Sequence, residues 1–132
     1  MAHDPSSANA QFSLGFAAPA PRESLFFAVL PDPATAQRAF AIGERLRAAH
    51  DLRGRALPVE RLHLTLHYLG EYAGIPPRLL QQAHAAGQAL AAAPFELCFD
   101  SVASFGGRAR TRPLVLLAAG EPPALRRLRE PL

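Results

Sequence analysis

An α+β fold follows from three features of this sequence. Strand-like and helix-like stretches alternate in the order β-α-β-α-β-β-α, which leaves both α+β and α/β packings open. Each helix-like stretch opens on proline, which is tolerated at the first helical position. The clearest strand, Arg61–Gly70, alternates polar and apolar residues strictly, as a sheet with one buried and one wet face requires. That alternation decides for α+β.

Composition excludes several other classes. The chain of 132 residues is 49% hydrophobic and 19% charged, enough for one compact domain with a core. It is too apolar for a disordered chain. A single Cys98 rules out a disulfide framework and a cysteine-based zinc knuckle. No apolar run is long enough to span a bilayer. All 14 basic residues are Arg, against 11 acids, for a net charge of +3. Arginine pairs bidentately with phosphate, so a few of these residues suit an anionic partner, although the lysine-free composition as a whole reads as codon usage.

Residues 1–22 (MAHDPSSANAQFSLGFAAPAPR) lack the basic and continuously apolar regions of an export signal and read as a flexible tail. With one unpaired Cys, the expected location is the cytoplasm. The domain then runs from residue 23 to 132.

Leu25–Leu30 is a short apolar run closed by Pro31, suited to a buried strand. Asp32-Pro33 is an N-cap followed by a proline at the first helical position, and the helix extends to about His50. Arg61–Gly70 follows as the alternating strand. Period 2 puts His63, Thr65 and His67 on one face and Leu62, Leu64, Leu66 and Tyr68 on the other, the core side. Pro76-Pro77 opens a second helix that Pro94 ends. Phe95–Asp100 alternates as a strand, continuing to Phe105 after a bend. A basic Gly-containing loop with Arg108, Arg110 and Arg112 leads to the strand Leu114–Ala118. Glu121-Pro122-Pro123 opens a third helix, with Leu125, Leu128 and Leu132 on one side and Arg126, Arg127 and Arg129 on the wet side.

Three readings compete for the His63–Thr65–His67 face. A solvated sheet face needs polar residues and nothing more. A metal site is disfavoured, because His63 and His67 stand roughly 13 Å apart along a strand, while Zn–N bonds are about 2.0 Å. Two histidines among three polar positions weaken the solvated-face reading without removing it, and acid–base work on a phosphate is the third. His63 and Thr65, two residues apart, can converge on one phosphorus, with an imidazole moving the proton and a hydroxyl holding an oxygen.

His63-Leu64-Thr65-Leu66 matches the HxTx motif of the 2H phosphoesterases. The surrounding blocks, Leu25–Pro31, Arg61–Glu71, Pro94–Leu97, Phe105–Gly107 and Arg110–Leu116, occur in the order found in the RNA 2′,3′-cyclic phosphodiesterases, also called 2′-5′ RNA ligases. The chain resembles that family from about Ser24 onward. The resemblance implies antiparallel sheets with helices packed outside, in two lobes that each give one HxTx motif to a central cleft. It implies His63 as an acid–base residue and Thr65 as a phosphate ligand. Apart from the resemblance, His67 shares the His63 face and either lines the cleft or serves structurally at its rim, while Arg110 and Arg112 either contact RNA phosphates or form a solvated basic loop. No metal or cofactor is implied. The implied partners are RNA with 2′,3′-cyclic phosphate ends or small cyclic nucleotides, with no membrane. No other His is followed two residues later by Thr. On this resemblance the second lobe is incomplete, and the open edge predicts a chain that dimerises or swaps elements. A binding module without turnover is the alternative.

Overall fold

The structure is a computed structural model that describes residues 20–104 and 112–132. Strand β1 (Glu23–Val29) leads to helix α1 (Pro33–Ala49), a 3-10 turn (Val59–Arg61), strand β2 (Leu64–Tyr72) and helix α2 (Pro77–Ala89). Strands β3 (Phe99–Ser104) and β4 (Leu114–Ala118) and helix α3 (Pro123–Arg129) complete the order. The strands pair as two antiparallel sheets, β1 with β2 and β3 with β4. This is an α+β fold.

Local chemistry explains the helix starts. Asp32 Oδ1 accepts the Thr35 amide at 3.0 Å and its Oδ2 accepts the Thr35 hydroxyl at 2.6 Å, capping α1 ahead of Pro33. Those bonds to Thr35, hydroxyl first, hold the Asp32 carboxyl below its ordinary range. Helices α2 and α3 open on Pro77 and Pro123 without a side-chain cap.

Among the described residues the buried apolar side chains are Ala36, Leu66 and Leu125, one each from α1, β2 and α3. A Cβ on Gly87 would stand 3.4 Å from the Phe27 ring, which places α2 over the inner side of the β1–β2 sheet. Arg129 Nε donates to the Leu66 carbonyl at 2.9 Å and ties α3 to β2.

Several expected boundaries move. The strand expected from Arg61 begins at Leu64, because Val59–Arg61 closes a 3-10 turn with the Arg61 amide donating to Pro58 O. It also runs past Gly70 to Tyr72, with Gly70 absorbing the bend at φ 131°. Phe95–Cys98 is irregular rather than strand. Strand β4 is only five residues long and its register is used up by Phe99–Ser104, so the alternating segment before them has no strand to pair with among the described residues. Only the Cys98 carbonyl, accepting from the Ala119 amide, extends the ladder. Helix α3 ends at Arg129, short of Leu132.

The largest change is in the faces of β2. Its register with β1 skips one residue twice: Ala28 opposes Thr65 while Phe27 opposes His67, and Phe26 opposes Tyr68 while Leu25 opposes Gly70. Each skip is a β-bulge that re-aims the residues beside it. Directly opposed residues share a face, and neighbours on β1 do not. Thr65 therefore lies with Ala28 and Phe26 on the outer face, whereas His67 lies with Phe27 on the inner side. Tyr68, expected in the core, comes out beside Phe26 and is 56% exposed.

Candidate active site

The outer face of the β1–β2 sheet gathers His63, Thr65, Phe26 and Tyr68. His63 sits just ahead of β2, exposed, and its Nδ1 lies 2.7 Å from the Arg61 carbonyl oxygen. A carbonyl can only accept, so Nδ1 carries the proton and donates it there. In the neutral imidazole this leaves the Nε2 lone pair free to take a proton. The 3-10 turn supplies that anchor by presenting the Arg61 carbonyl two residues upstream. The Phe26 ring lies beside the imidazole, with centroids 5.1 Å apart and planes inclined by 31°. One ring nitrogen and one ring side of His63 are thus fixed.

Thr65 is exposed on β2 opposite Ala28. The short alanine side chain leaves the space above the hydroxyl open. As a β-branched residue in a strand, Thr65 has few side-chain rotamers to lose when it binds a ligand. Imidazole and hydroxyl thus stand two residues apart on one wet face, a spacing of roughly 6.6 Å that brackets a phosphate-sized group.

His67 is not part of this grouping. It lines a cleft of about 270 Å³ on the other side with Glu121, Arg126, Arg129 and Glu130. Glu121 holds both arginines there: Arg129 at 2.6 Å and Arg126 at 3.5 Å. Both arginines are exposed, as expected for the wet side of the third helix, and Arg129 in addition reaches the Leu66 carbonyl of β2. Arg112 precedes β4 on the second sheet, and Arg110 lies outside the described residues.

Sequence reasoning missed Phe26 and Tyr68 as site neighbours. Both read as ordinary strand apolars, and the bulge that exposes Tyr68 leaves only one trace in the sequence. That trace is Gly70, since a glycine inside a strand pattern often marks a bulge. Among the described residues no group of three or more His, Cys, Asp or Glu could hold a metal ion. No described helix is long and apolar enough to cross a membrane.

A family model described as the 2′-5′ RNA ligase superfamily matches residues 31–132, most of the chain and all of the His63–Thr65 strand. The chain belongs to the 2′-5′ RNA ligase superfamily of 2H phosphoesterases. That is a superfamily of phosphoesterase and ligase enzymes. Comparison with curated proteins and with solved structures returns no match.

Proposed function

We propose that this protein is an RNA 2′,3′-cyclic phosphodiesterase that opens the cyclic phosphate to a 2′-phosphomonoester, with the reverse 2′-5′ ligation open to it. The observation that carries the reading is the fixed His63 tautomer next to an exposed Thr65 on one face. Nε2 of His63 takes a proton from water as the water oxygen bonds to phosphorus. The bond from phosphorus to the ribose 3′ oxygen breaks, and that oxygen leaves with a proton from an acid on the opposite side. The Thr65 hydroxyl donates to a phosphoryl oxygen as charge builds on it, where a hydrogen bond is worth most. The side chains named carry every step on the attacking side, and no metal or cofactor enters.

Phe26 and Tyr68 support a nucleotide as the substrate. They are opposed across the two strands, 37% and 56% exposed, on the face that carries Thr65. Aromatic faces beside a phosphate site suit stacking of unpaired bases, worth about 1–3 kcal/mol per base. Arg110 and Arg112 would add contacts to the RNA backbone, and the cytoplasm is where such ends would be met.

A second reading is a module that binds such ends without turning them over. The observation favouring it is that His63-Leu64-Thr65 is the sequence's one His-x-Thr, while in-line displacement needs a proton donor opposite. The test is hydrolysis of an oligonucleotide ending in a 2′,3′-cyclic phosphate, in EDTA, by the unaltered chain and by His63→Ala. Release of a 2′-phosphate that His63→Ala abolishes is the expected result. Binding that depends on Thr65 without turnover would establish the second reading. Neither binding nor turnover would overturn both.

A further inference from the structure

We infer that Arg129 of α3 is a positioning residue for the His63–Thr65 site, acting through the backbone of β2; the inference rests on the reading of that site given above. Leu66 lies between Thr65 and His67 and has no partner in the register with β1. At that point β1 does not hold β2. A bulge without a second anchor can migrate, and a one-residue slip turns side chains over to the opposite face. Arg129 supplies the anchor. Its Nε donates to the Leu66 carbonyl at 2.9 Å across 63 residues of sequence, in a part-buried setting.

A second guanidinium nitrogen is held as well. Nη1 of Arg129 bonds Glu121 Oε1 at 2.6 Å, and the other Glu121 oxygen lies 3.5 Å from Arg126 Nε. The carboxylate just ahead of α3 thus orients the arginine, and the arginine pins the strand one residue after Thr65. Leu66 itself is 5% exposed and Leu125 of α3 is 8% exposed, so the anchor reaches the backbone of the buried residue of β2 from the helix that carries the buried Leu125. With the bulge held at Leu66, Thr65 stays opposite Ala28 on the outer face while His67 goes to the inner side. If the bulge moved, the Thr65 hydroxyl would leave the face that His63 occupies.

Two substitutions separate this role from a general structural one. In Arg129→Gln the side-chain amide nitrogen lies as many bonds from Cα as Nε, so a donor to Leu66 remains. In Arg129→Met no donor remains. Both lose the Glu121 pair equally. The carbonyl of Leu66 and the amide N–H of His67 belong to one peptide group, so the His67 amide resonance reports the bond directly. In the full chain, Arg129→Met is expected to move that resonance and to lower kcat on the cyclic-phosphate oligonucleotide about tenfold or more, with KM within about twofold. Arg129→Gln should keep the resonance near its original position and kcat within about threefold, at the same loss of thermal stability. In the unaltered chain the Arg129 Nε–H should exchange slowly with solvent. A His67 amide that responds equally to both substitutions, or an Nε–H that exchanges as fast as a free guanidinium, overturns the inference. If the unaltered chain has no hydrolase activity, the function proposed above fails. The amide and exchange measurements still decide whether Arg129 holds the strand.

Discussion

Leu66→Ala is the substitution on which the packing argument can be tested most sharply. The side chain is 5% exposed, so nearly all of it leaves water on folding. Truncation to Ala removes three carbons, and at about 0.8 kcal/mol per buried carbon the transfer loss is about 2.3 kcal/mol. The transfer loss alone puts the value at the low end of the ~2–5 kcal/mol seen for Leu→Ala in cores. Leu30, just beyond β1, is 70% exposed. The same arithmetic scaled to its buried part gives about 0.7 kcal/mol for Leu30→Ala. Urea titration followed by far-UV circular dichroism should therefore separate the two variants by about 1.6 kcal/mol, or about 1 M in midpoint at a slope near 1.5 kcal/mol/M. A Leu66→Ala loss no larger than about 0.7 kcal/mol would refute the placement of Leu66 at the centre of packing. A Leu30→Ala loss near about 2.3 kcal/mol would instead refute the exposure of Leu30.

Other outcomes follow from the site and from the first helix. His63→Asn keeps a donor near the position of Nδ1 but lacks Nε2, so hydrolysis should fall about 10²–10⁴-fold with the fold intact, read by steady-state kinetics and circular dichroism. Thr65→Val keeps the shape and removes the hydroxyl. It should cost about 10-fold to 100-fold in kcat/KM, as for one hydrogen bond to a charged oxygen. For Asp32, the bonds from Thr35 lower the folded-state pKa beneath the unfolded value near 3.8, so the folded chain binds fewer protons there. The cap's contribution is present above the unfolded pKa and is lost as pH falls through the lower, folded value. Melting temperature should decline across that acidic window, and Asp32→Asn should flatten the decline.

The helix starts were legible because their causes are local. Asp32 with Pro33, and the prolines at Pro77 and Pro123, state where a helix begins irrespective of what packs on it. The His63–Thr65 pair was legible because two residues of unbroken alternation are enough to put both on one side. The position of His67 was not legible, since it depends on a bulge at Leu66, and the bulge depends on a pairing with β1 and an anchor from α3 that lie far away in sequence. The same holds for Phe95–Cys98, whose pattern is that of a strand but whose partner is too short to reach it. Alternation predicts a face only as far as the ladder stays in step.

The two skips in β2 have a joint consequence for the site. A single skip at Leu66 would turn His67 inward and leave every later residue on the face opposite to its expected one. The second skip, between the Tyr68 and Gly70 pairings, restores step, so that Gly70 again faces inward opposite Leu25 and Glu71 outward opposite Ser24. Between the skips only His67 and Tyr68 exchange faces. An imidazole is removed from the Thr65 face and a phenol ring is put in its place. The outer face then carries one imidazole with a fixed tautomer, one hydroxyl and two exposed rings. Under the proposed function that set would take a phosphate at one end and a base at the other, with no second imidazole beside Thr65 to compete with Nε2 for the proton of the attacking water.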